Sequence, residues 1–508
     1  MLARVQSGAI VGIEAVPVWV EVDLCGGIPC VNMVGLPDAA VRESRDRVRA
    51  AIQNSGLSFP PRRITVNLAP AALRKEGTAL DLPVAVGILL GAGTIAAGKA
   101  DGLFLAGELS LDGGLRPVSG AISMALAARG LGCRGMLLPA SVASQASVVP
   151  GVSVFPVRSL AEVVAFLMGE SEIGALPELD YSAAGEEDWT GEDLAEVAGQ
   201  RAARRALEVA ASGGHNLLLV GPPGSGKTML ARRLPGILPP LGREEAVEAT
   251  RVHSAAGLVQ NGTLLRRRPF RAPHHSISGV GLAGGGSVPR PGEVSLAHHG
   301  VLFLDELPEF RRGALEVLRQ PMEEGKVVIN RALQILEFPA RFMLVAAMNP
   351  CKCGNLGVAG ADCRCTPLQV REYRGRISGP LLDRFDIHLE VPRVPAGDLH
   401  ATAPGESSEV VRDRVAAARE TQGRRFAGRA TRTNAAMTAS QLREHCALDA
   451  VGRKLLRGAV DRLGLSARAH NRILKVARTL ADLAGAPEIA PVHLAEAIQY
   501  RLLDRSER

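Results

Sequence analysis

Apolar and polar positions alternate along Val16–Leu24 and Arg63–Leu68, the pattern of strands with one buried face, while Ala39–Ser55 and Leu82–Leu90 read as helices. The first 170 residues are therefore expected to form an α/β domain. Residues 170–193 contain Pro177, Gly185, Gly191 and the acidic run Glu186, Glu187 and Asp188, which is the composition of a linker, placed at 171–195. From Val197 the pattern changes to a helix over Arg201–Ala211, a strand over Asn216–Val220, a glycine-rich loop and a further helix. The runs Val301–Leu304 and Phe342–Ala347 are apolar without alternation, as expected of parallel strands covered on both faces. Beyond Val394 only helical periodicity remains, at Arg412–Thr421, Ser440–Cys446, Ala450–Leu463, Ser466–Ala484 and Pro491–Leu502. The expected organisation is a domain over 1–170, an α/β core with a parallel sheet over 196–395 and a helical domain over 396–508.

The longest uncharged apolar stretch, Leu82–Gly98, falls short of the roughly 20 residues of a membrane span and reads as buried core. Glu14 interrupts the N-terminal apolar segment, which lacks the basic start of a signal peptide, so a cytoplasmic protein without membrane association is expected. Eight cysteines, four of them clustered, fit a reducing compartment better than a disulfide framework. Aromatic residues make up only 3% of the 508, which leaves few platforms for base stacking, so contact with nucleic acid should be mainly electrostatic. The net charge is +7, and its distribution matters more than its size. Residues 170–200 hold ten acidic and no basic side chains, whereas residues 411–508 hold 19 Lys and Arg against 10 Asp and Glu.

The strongest chemical signal is Gly221-Pro222-Pro223-Gly224-Ser225-Gly226-Lys227-Thr228, directly after the apolar run Leu217–Val220. This is a phosphate-binding loop: its glycines let successive backbone N–H groups wrap a phosphate, Lys227 reaches the β- and γ-phosphates, and Thr228 ligates Mg²⁺. Val301–Leu304 then ends in Asp305 and Glu306, at the strand end where open α/β sheets bind ligands. Asp305 is expected in the Mg²⁺ shell and Glu306 as the base that polarises water, a pair that points to hydrolysis rather than binding alone. Cys351-x-Cys353 and Cys363-x-Cys365 offer four thiolates to one tetrahedral ion, for which Zn²⁺ is the expected occupant; free thiols or reversible disulfides are the alternatives. The doublets His274-His275 and His298-His299 have no standard ligand spacing and read as structural or nucleotide-proximal.

These motifs resemble the AAA+ ATPases. More closely, VAGQRAARRALEVAASGGHNLLLVGPPGSGKT, RAPHHS, GEVSLAHHGVLFLDELPEF, NPCKCG, SGPLLDRFDIH and SARAHNRILKVART resemble the YifB/ComM family of magnesium-chelatase-like AAA+ proteins. VGLPDAAVRESRDRVRAAI and NLAPAALRKEGTALDLPVAVGIL extend the likeness through the N-terminal domain. The resemblance implies that Val197 to Gln200 contact adenine, that Asn349 senses the γ-phosphate and that Arg468 is the second sensor, with Arg472 one helical turn away as a rival. It implies that Arg384 is an arginine finger reaching a neighbouring subunit's nucleotide in a homohexamer. It also directs attention to Gly284–Gly292 with Arg290, and to a hairpin over Lys326–Phe338 with Arg331 near its tip, as loops facing DNA in a ring channel.

The N-terminal domain resembles the Lon-protease-like domain of the ribosomal S5 domain 2 type, but Lys75-Glu76-Gly77-Thr78-Ala79 places Ala79 where the nucleophilic serine belongs, and Gly113–Pro117 lacks the usual lysine. No peptidase activity is expected from it. The leading functional expectation is an ATP-driven DNA motor that promotes branch migration during homologous integration of DNA. The alternatives are a magnesium-chelatase-type motor subunit and a nucleotide-switched protein scaffold.

Overall fold

The computed structural model describes all residues except 1, 76, 179–180, 182–190, 260–263, 287–288, 331–334, 359, 395–404 and 502–508. The chain divides into two compact units, one made of 1–186, 243–265 and 330–336, the other of 187–242, 266–329 and 337–508.

In the first unit a seven-stranded mixed sheet runs in the order Cys30–Val34, Arg63–Ala69, Glu14–Cys25, Leu2–Val11, Leu103–Leu105, Gly135–Pro139 and Ser153–Val157. The alternation in the sequence becomes a buried face: Val18, Val20, Val22 and Leu24 point into the core with Ile64, Val66 and Leu68 of the neighbouring strand. The apolar segment after Leu80 forms the helix Asp81–Ala92, of which eleven residues are buried. Gly87 is where this helix meets the sheet, since a Cβ there would lie 2.7 Å from Val22 Cγ2. The helix Arg243–Ala255 also belongs to this unit, although it lies far along the chain. Arg251 donates to the carbonyl of Ile13 and to Ser123 Oγ, each at 3.1 Å, and Arg243 donates to Val148 O at 3.0 Å.

The second unit is built on a five-stranded, all-parallel sheet in the order Phe270–Arg271, Val301–Leu304, Met343–Met348, Leu217–Val220 and Ile387–Glu390. Numbered along the chain, the strand order is 2-3-4-1-5. Leu217, Leu219, Val345 and Ala347 face one core, shared with helices Arg201–Gly213 and Lys227–Ile237, while Leu218, Leu302, Leu304, Leu344 and Ala346 face the other. Both faces are covered, which is why these strands are continuously apolar in the sequence. The helices Ser408–Arg425, Ala439–His445, Ala450–Leu463, Ala467–Leu483 and Pro491–Gln499 follow, and Ala467–Leu483 packs on Arg201–Gly213.

A buried polar junction fixes the C-terminal helices to the sheet. Asp386, 3% exposed, pairs with Arg472, accepts the backbone N–H of Asn216 at 3.1 Å and lies 3.5 Å from His215 Nδ1. His215 Nε2 meets Thr479 Oγ1 at 2.8 Å. Burial pushes the Asp386 carboxyl up, but the Arg472 charge, with His215 and Lys475, outweighs it and holds the group well below the usual carboxylate range.

Candidate active site

The phosphate loop connects the strand Leu217–Val220, which lies between Met343–Met348 and Ile387–Glu390 in the parallel sheet, to the helix Lys227–Ile237. Gly221 is obligatory there, because a Cβ would lie 2.2 Å from the carbonyl oxygen of Val391. Gly224 and Gly226 have φ of +75° and +88°, conformations that side chains disfavour. Lys227 is 8% exposed and donates from Nζ to Gly221 O and Pro222 O, both at 2.8 Å, and to Asn349 Oδ1 at 3.2 Å. Burial lowers its affinity for the proton, while Asp305 and Glu306 oppose that shift. Among the described residues, buried Ser225 Oγ has no hydrogen-bond partner. A shielded ammonium, an unpartnered hydroxyl and a glycine-bent backbone at a helix N-terminus together fit a polyphosphate.

Thr228 Oγ1 donates to Asp305 Oδ2 at 2.6 Å, so the loop hydroxyl and the strand-end carboxylate stand together as two oxygen donors that could hold a divalent cation. The Glu306 backbone N–H donates to Asp305 Oδ1 at 2.9 Å. Glu306 itself takes φ of +52°, a left-handed conformation rare for a glutamate, and its side chain is 60% exposed at the strand's end. His275 Nδ1 stands 3.5 Å from Glu306 Oε2. Sequence reading left His275 without a specific role; the one available signal was its place in RAPHHS. The other doublet divides differently, with buried His298 accepting the Arg341 backbone N–H at 3.0 Å.

Of the residues named for adenine, Val197 is buried, and Gln200, with φ of +46°, donates from Nε2 to Ser225 O at 3.3 Å and Pro392 O at 2.7 Å. Gln200 thereby ties the segment before Arg201–Gly213 to the phosphate loop. Arg384 donates to Pro380 O at 2.6 Å and pairs with Glu323, a partner with no motif signal in the sequence. The two arginines of the helix Ala467–Leu483 differ sharply. Arg472 is tied to Asp386 and to Arg384 O, whereas Arg468 is 66% exposed and lies 3.6 Å from Asp383.

Three cysteine sulfurs stand at 3.4 Å (Cys351 to Cys353), 3.7 Å (Cys351 to Cys363) and 3.7 Å (Cys353 to Cys363), and all four, with Cys365, lie within 4.8 Å of one another. A tetrahedron with Zn–S bonds of about 2.3 Å has S···S edges of about 3.8 Å, so the donor set and its spacing fit a zinc-class ion. The Asn355 backbone N–H and the Cys351 thiol pull the Cys353 thiol down to about 6, while Cys363, despite a bond from the Cys365 backbone, is raised to about 11 by burial and by the Cys353 and Cys351 thiols.

Family models match three consecutive segments: "Subunit ChlI of Mg-chelatase" over residues 20–142, "Magnesium chelatase, subunit ChlI" over 193–399, and "Magnesium chelatase, subunit ChlI C-terminal" over 405–501. The uncharacterized protein YifB of Escherichia coli is 45% identical, covering 99% of this chain and 98% of its own. The competence protein ComM of Haemophilus influenzae is also 45% identical with the same coverage. The chain belongs to the YifB/ComM family. That family is magnesium-chelatase-like and AAA+, and the chelatase subunits themselves are more distant: the 38 kDa subunit of Acidiphilium rubrum is 27% identical over 58% of this chain.

In this YifB/ComM chain Gly77 is exposed, and Thr78 and Ala79 are half-buried. Lys75 is fully buried, and its Nζ donates to Gly35 O at 3.0 Å and to Pro70 O. Ala79 offers only a backbone carbonyl, which accepts the Gly107 N–H at 2.9 Å. Asp81 is buried against Arg47 Nε at 2.9 Å. Of the residues named for DNA, Arg290 is exposed on a short strand paired with Gly284–Gly285. Lys326 begins the hairpin strand Lys326–Asn330 and pairs with Glu337 of the return strand Ile335–Pro339 at 2.7 Å, which offsets its charge. Arg331 lies outside the described residues. Among the described residues no helix is long and apolar enough to cross a membrane.

Proposed function

We propose that the protein is an ATP-hydrolysing motor that acts on single-stranded or branched DNA as a homohexamer, in the manner of a ComM-like branch-migration helicase working during DNA recombination and natural transformation. The observation that carries hydrolysis is the convergence of Lys227, Thr228, Asp305, Glu306 and Asn349 at the end of one parallel sheet. In this reading Lys227 neutralises the β- and γ-phosphates and Thr228 and Asp305 hold Mg²⁺, which lowers the charge that an incoming nucleophile must approach. Glu306 accepts a proton from the attacking water, and His275 orients its carboxylate. Asn349 reports the γ-phosphate to the strand that carries it, and the exposed Arg468 reaches the phosphates from the helix Ala467–Leu483. Arg384 bonds to Glu323 and Pro380 rather than to the phosphate loop of its own chain, which favours action on a neighbour's nucleotide. The four cysteines hold structural Zn²⁺.

Support for DNA as the partner is the competence relative, the basic excess in residues 411–508 and the exposed Arg290. The three chelatase family models favour one second reading, a motor that remodels a protein partner for metal insertion. The ATPase rate with single-stranded, duplex and four-way-junction DNA at two salt concentrations separates them, with Glu306→Gln as the control. A DNA motor gives salt-sensitive stimulation. A rate indifferent to every DNA, with hydrolysis still dependent on Glu306, sinks the DNA reading and leaves the ATPase standing.

A further inference from the structure

The cysteine cluster lies against the phosphate loop by two separate routes. Cys351 follows Asn349 by two residues, and Asn349 Oδ1 accepts from Lys227 Nζ at 3.2 Å. Two further bonds hold the same stretch of chain: Gly221 N–H donates to Met348 O at 3.1 Å, and Arg374 Nε donates to Pro350 O at 3.2 Å. On the other side of the cluster, Gly354 closes a turn by donating its N–H to Cys351 O at 3.0 Å. Its φ is +81°, and a Cβ there would stand 2.5 Å from Cδ and 2.8 Å from Cγ of Pro223, inside the phosphate loop. The turn that carries Cys353 is thus in van der Waals contact with the loop that wraps the phosphate, and the strand end that carries Cys351 is hydrogen-bonded to the loop's lysine.

We infer that the four-cysteine cluster positions the phosphate loop, so that a thiophilic divalent cation of the zinc class at Cys351, Cys353, Cys363 and Cys365 and a nucleotide at the loop bind with positive coupling. This rests on the nucleotide and zinc readings above. When the cation ties Cys351 and Cys353 to Cys363 and Cys365, it fixes both Asn349 and the Gly354 turn, and with them Lys227 and Pro223. Without it, the segment from Cys351 to Cys365 closes on itself only through weaker contacts, and the loop must be ordered at the nucleotide's expense. Equilibrium coupling is reciprocal, so nucleotide must tighten cation binding by the same factor by which the cation tightens nucleotide binding. Two-site couplings of this kind are usually about 5- to 150-fold.

The test uses the full-length chain. Metal content is measured by mass spectrometry, then the dissociation constant of a fluorescent ATP analogue is measured on zinc-loaded and zinc-stripped protein, with circular dichroism confirming that both are folded. The zinc affinity is measured by competition with a chelator, with and without ATP analogue. The expected result is one zinc per chain, nucleotide binding at least five-fold weaker after stripping, and an equal change in zinc affinity on adding nucleotide. Pro223→Gly removes the ring that meets Gly354 and tests the route even where stripped protein fails to fold. It should keep its zinc, while the change in zinc affinity on adding nucleotide falls to the part carried through Asn349 and Lys227. Protein that binds no zinc overturns the zinc reading and this inference while leaving the ATP site untouched. Zinc bound with no effect of nucleotide on its affinity overturns the inference alone, and full coupling in Pro223→Gly overturns the route.

Discussion

Arg468 and Arg472 lie one helical turn apart on Ala467–Leu483, and their surroundings predict opposite consequences of removal. Arg472→Ala leaves the buried Asp386 carboxylate with the Asn216 N–H, His215 and the charge of Lys475, and it also removes the bond to Arg384 O. Taking one partner from a buried ion pair costs about 3–5 kcal/mol. Arg468→Ala removes an exposed contact at 3.6 Å to Asp383, worth roughly 0–1 kcal/mol. Segment-resolved amide hydrogen exchange measures the opening of Ala467–Leu483 directly, and for Arg472→Ala the exchange should accelerate by roughly a hundred- to a few-thousand-fold. Arg468→Ala should leave exchange close to wild type and lower ATP hydrolysis. The pH dependence carries the same signature. Asp386 has a folded-state pKa depressed below the ordinary aspartate value of about 3.9, so its contribution is complete above that pH and is lost as pH falls toward the folded value. Wild-type protection should therefore decline with acid below about pH 4, and less steeply in Arg472→Ala. If Arg472→Ala keeps normal exchange while hydrolysis collapses, Arg472 is the nucleotide arginine and the reasoning from burial is wrong.

Glu306→Gln should retain nucleotide binding while its turnover falls by about 10²- to 10⁴-fold, read by pairing an ATP-analogue titration with a phosphate-release assay; equal loss of both would assign Glu306 to binding. Arg384→Ala and Lys227→Ala should each be inactive alone and regain part of the hydrolysis when mixed, because each supplies what the other lacks at a shared interface; mixtures that stay inactive at all ratios argue against action in trans. Gly221→Ala would set a Cβ 2.2 Å from Val391 O, so nucleotide affinity should fall at least ten-fold by calorimetry, and an unchanged affinity would show that the loop can shift freely. His275→Ala should lower turnover with little change in nucleotide affinity; if turnover is unaffected, the 3.5 Å approach to Glu306 has no catalytic part.

Much of the site was legible before any coordinates. Gly221 to Thr228 and Asp305-Glu306 are contiguous motifs whose chemistry depends on local backbone geometry, and Cys351, Cys353, Cys363 and Cys365 sit close enough in the chain that short loops must bring them together. The strands Val301–Leu304 and Met343–Met348 and the helix Asp81–Ala92 were equally visible, since burial on all sides leaves an uninterrupted apolar run. Partnerships over long sequence separations were not. Nothing local to Arg384 reveals Glu323, and nothing local to Arg472 separates it from Arg468; the choice is made by Asp386, some 86 residues away, and by the exclusion of water around it. The helix Arg243–Ala255 has ordinary amphipathic composition, yet it takes its place in the first unit through Arg251, Ile13 and Ser123. Nor did the sequence hint that Gly354 touches Pro223. Residue types and short spacings by themselves determined which chemistry this chain carries, because each motif's geometry is set within a few peptide units. Which charges are free to act and which are locked into the fold was decided only by tertiary packing, because burial changes the cost of an unpaired charge by several kcal/mol and depends on residues distant in the chain.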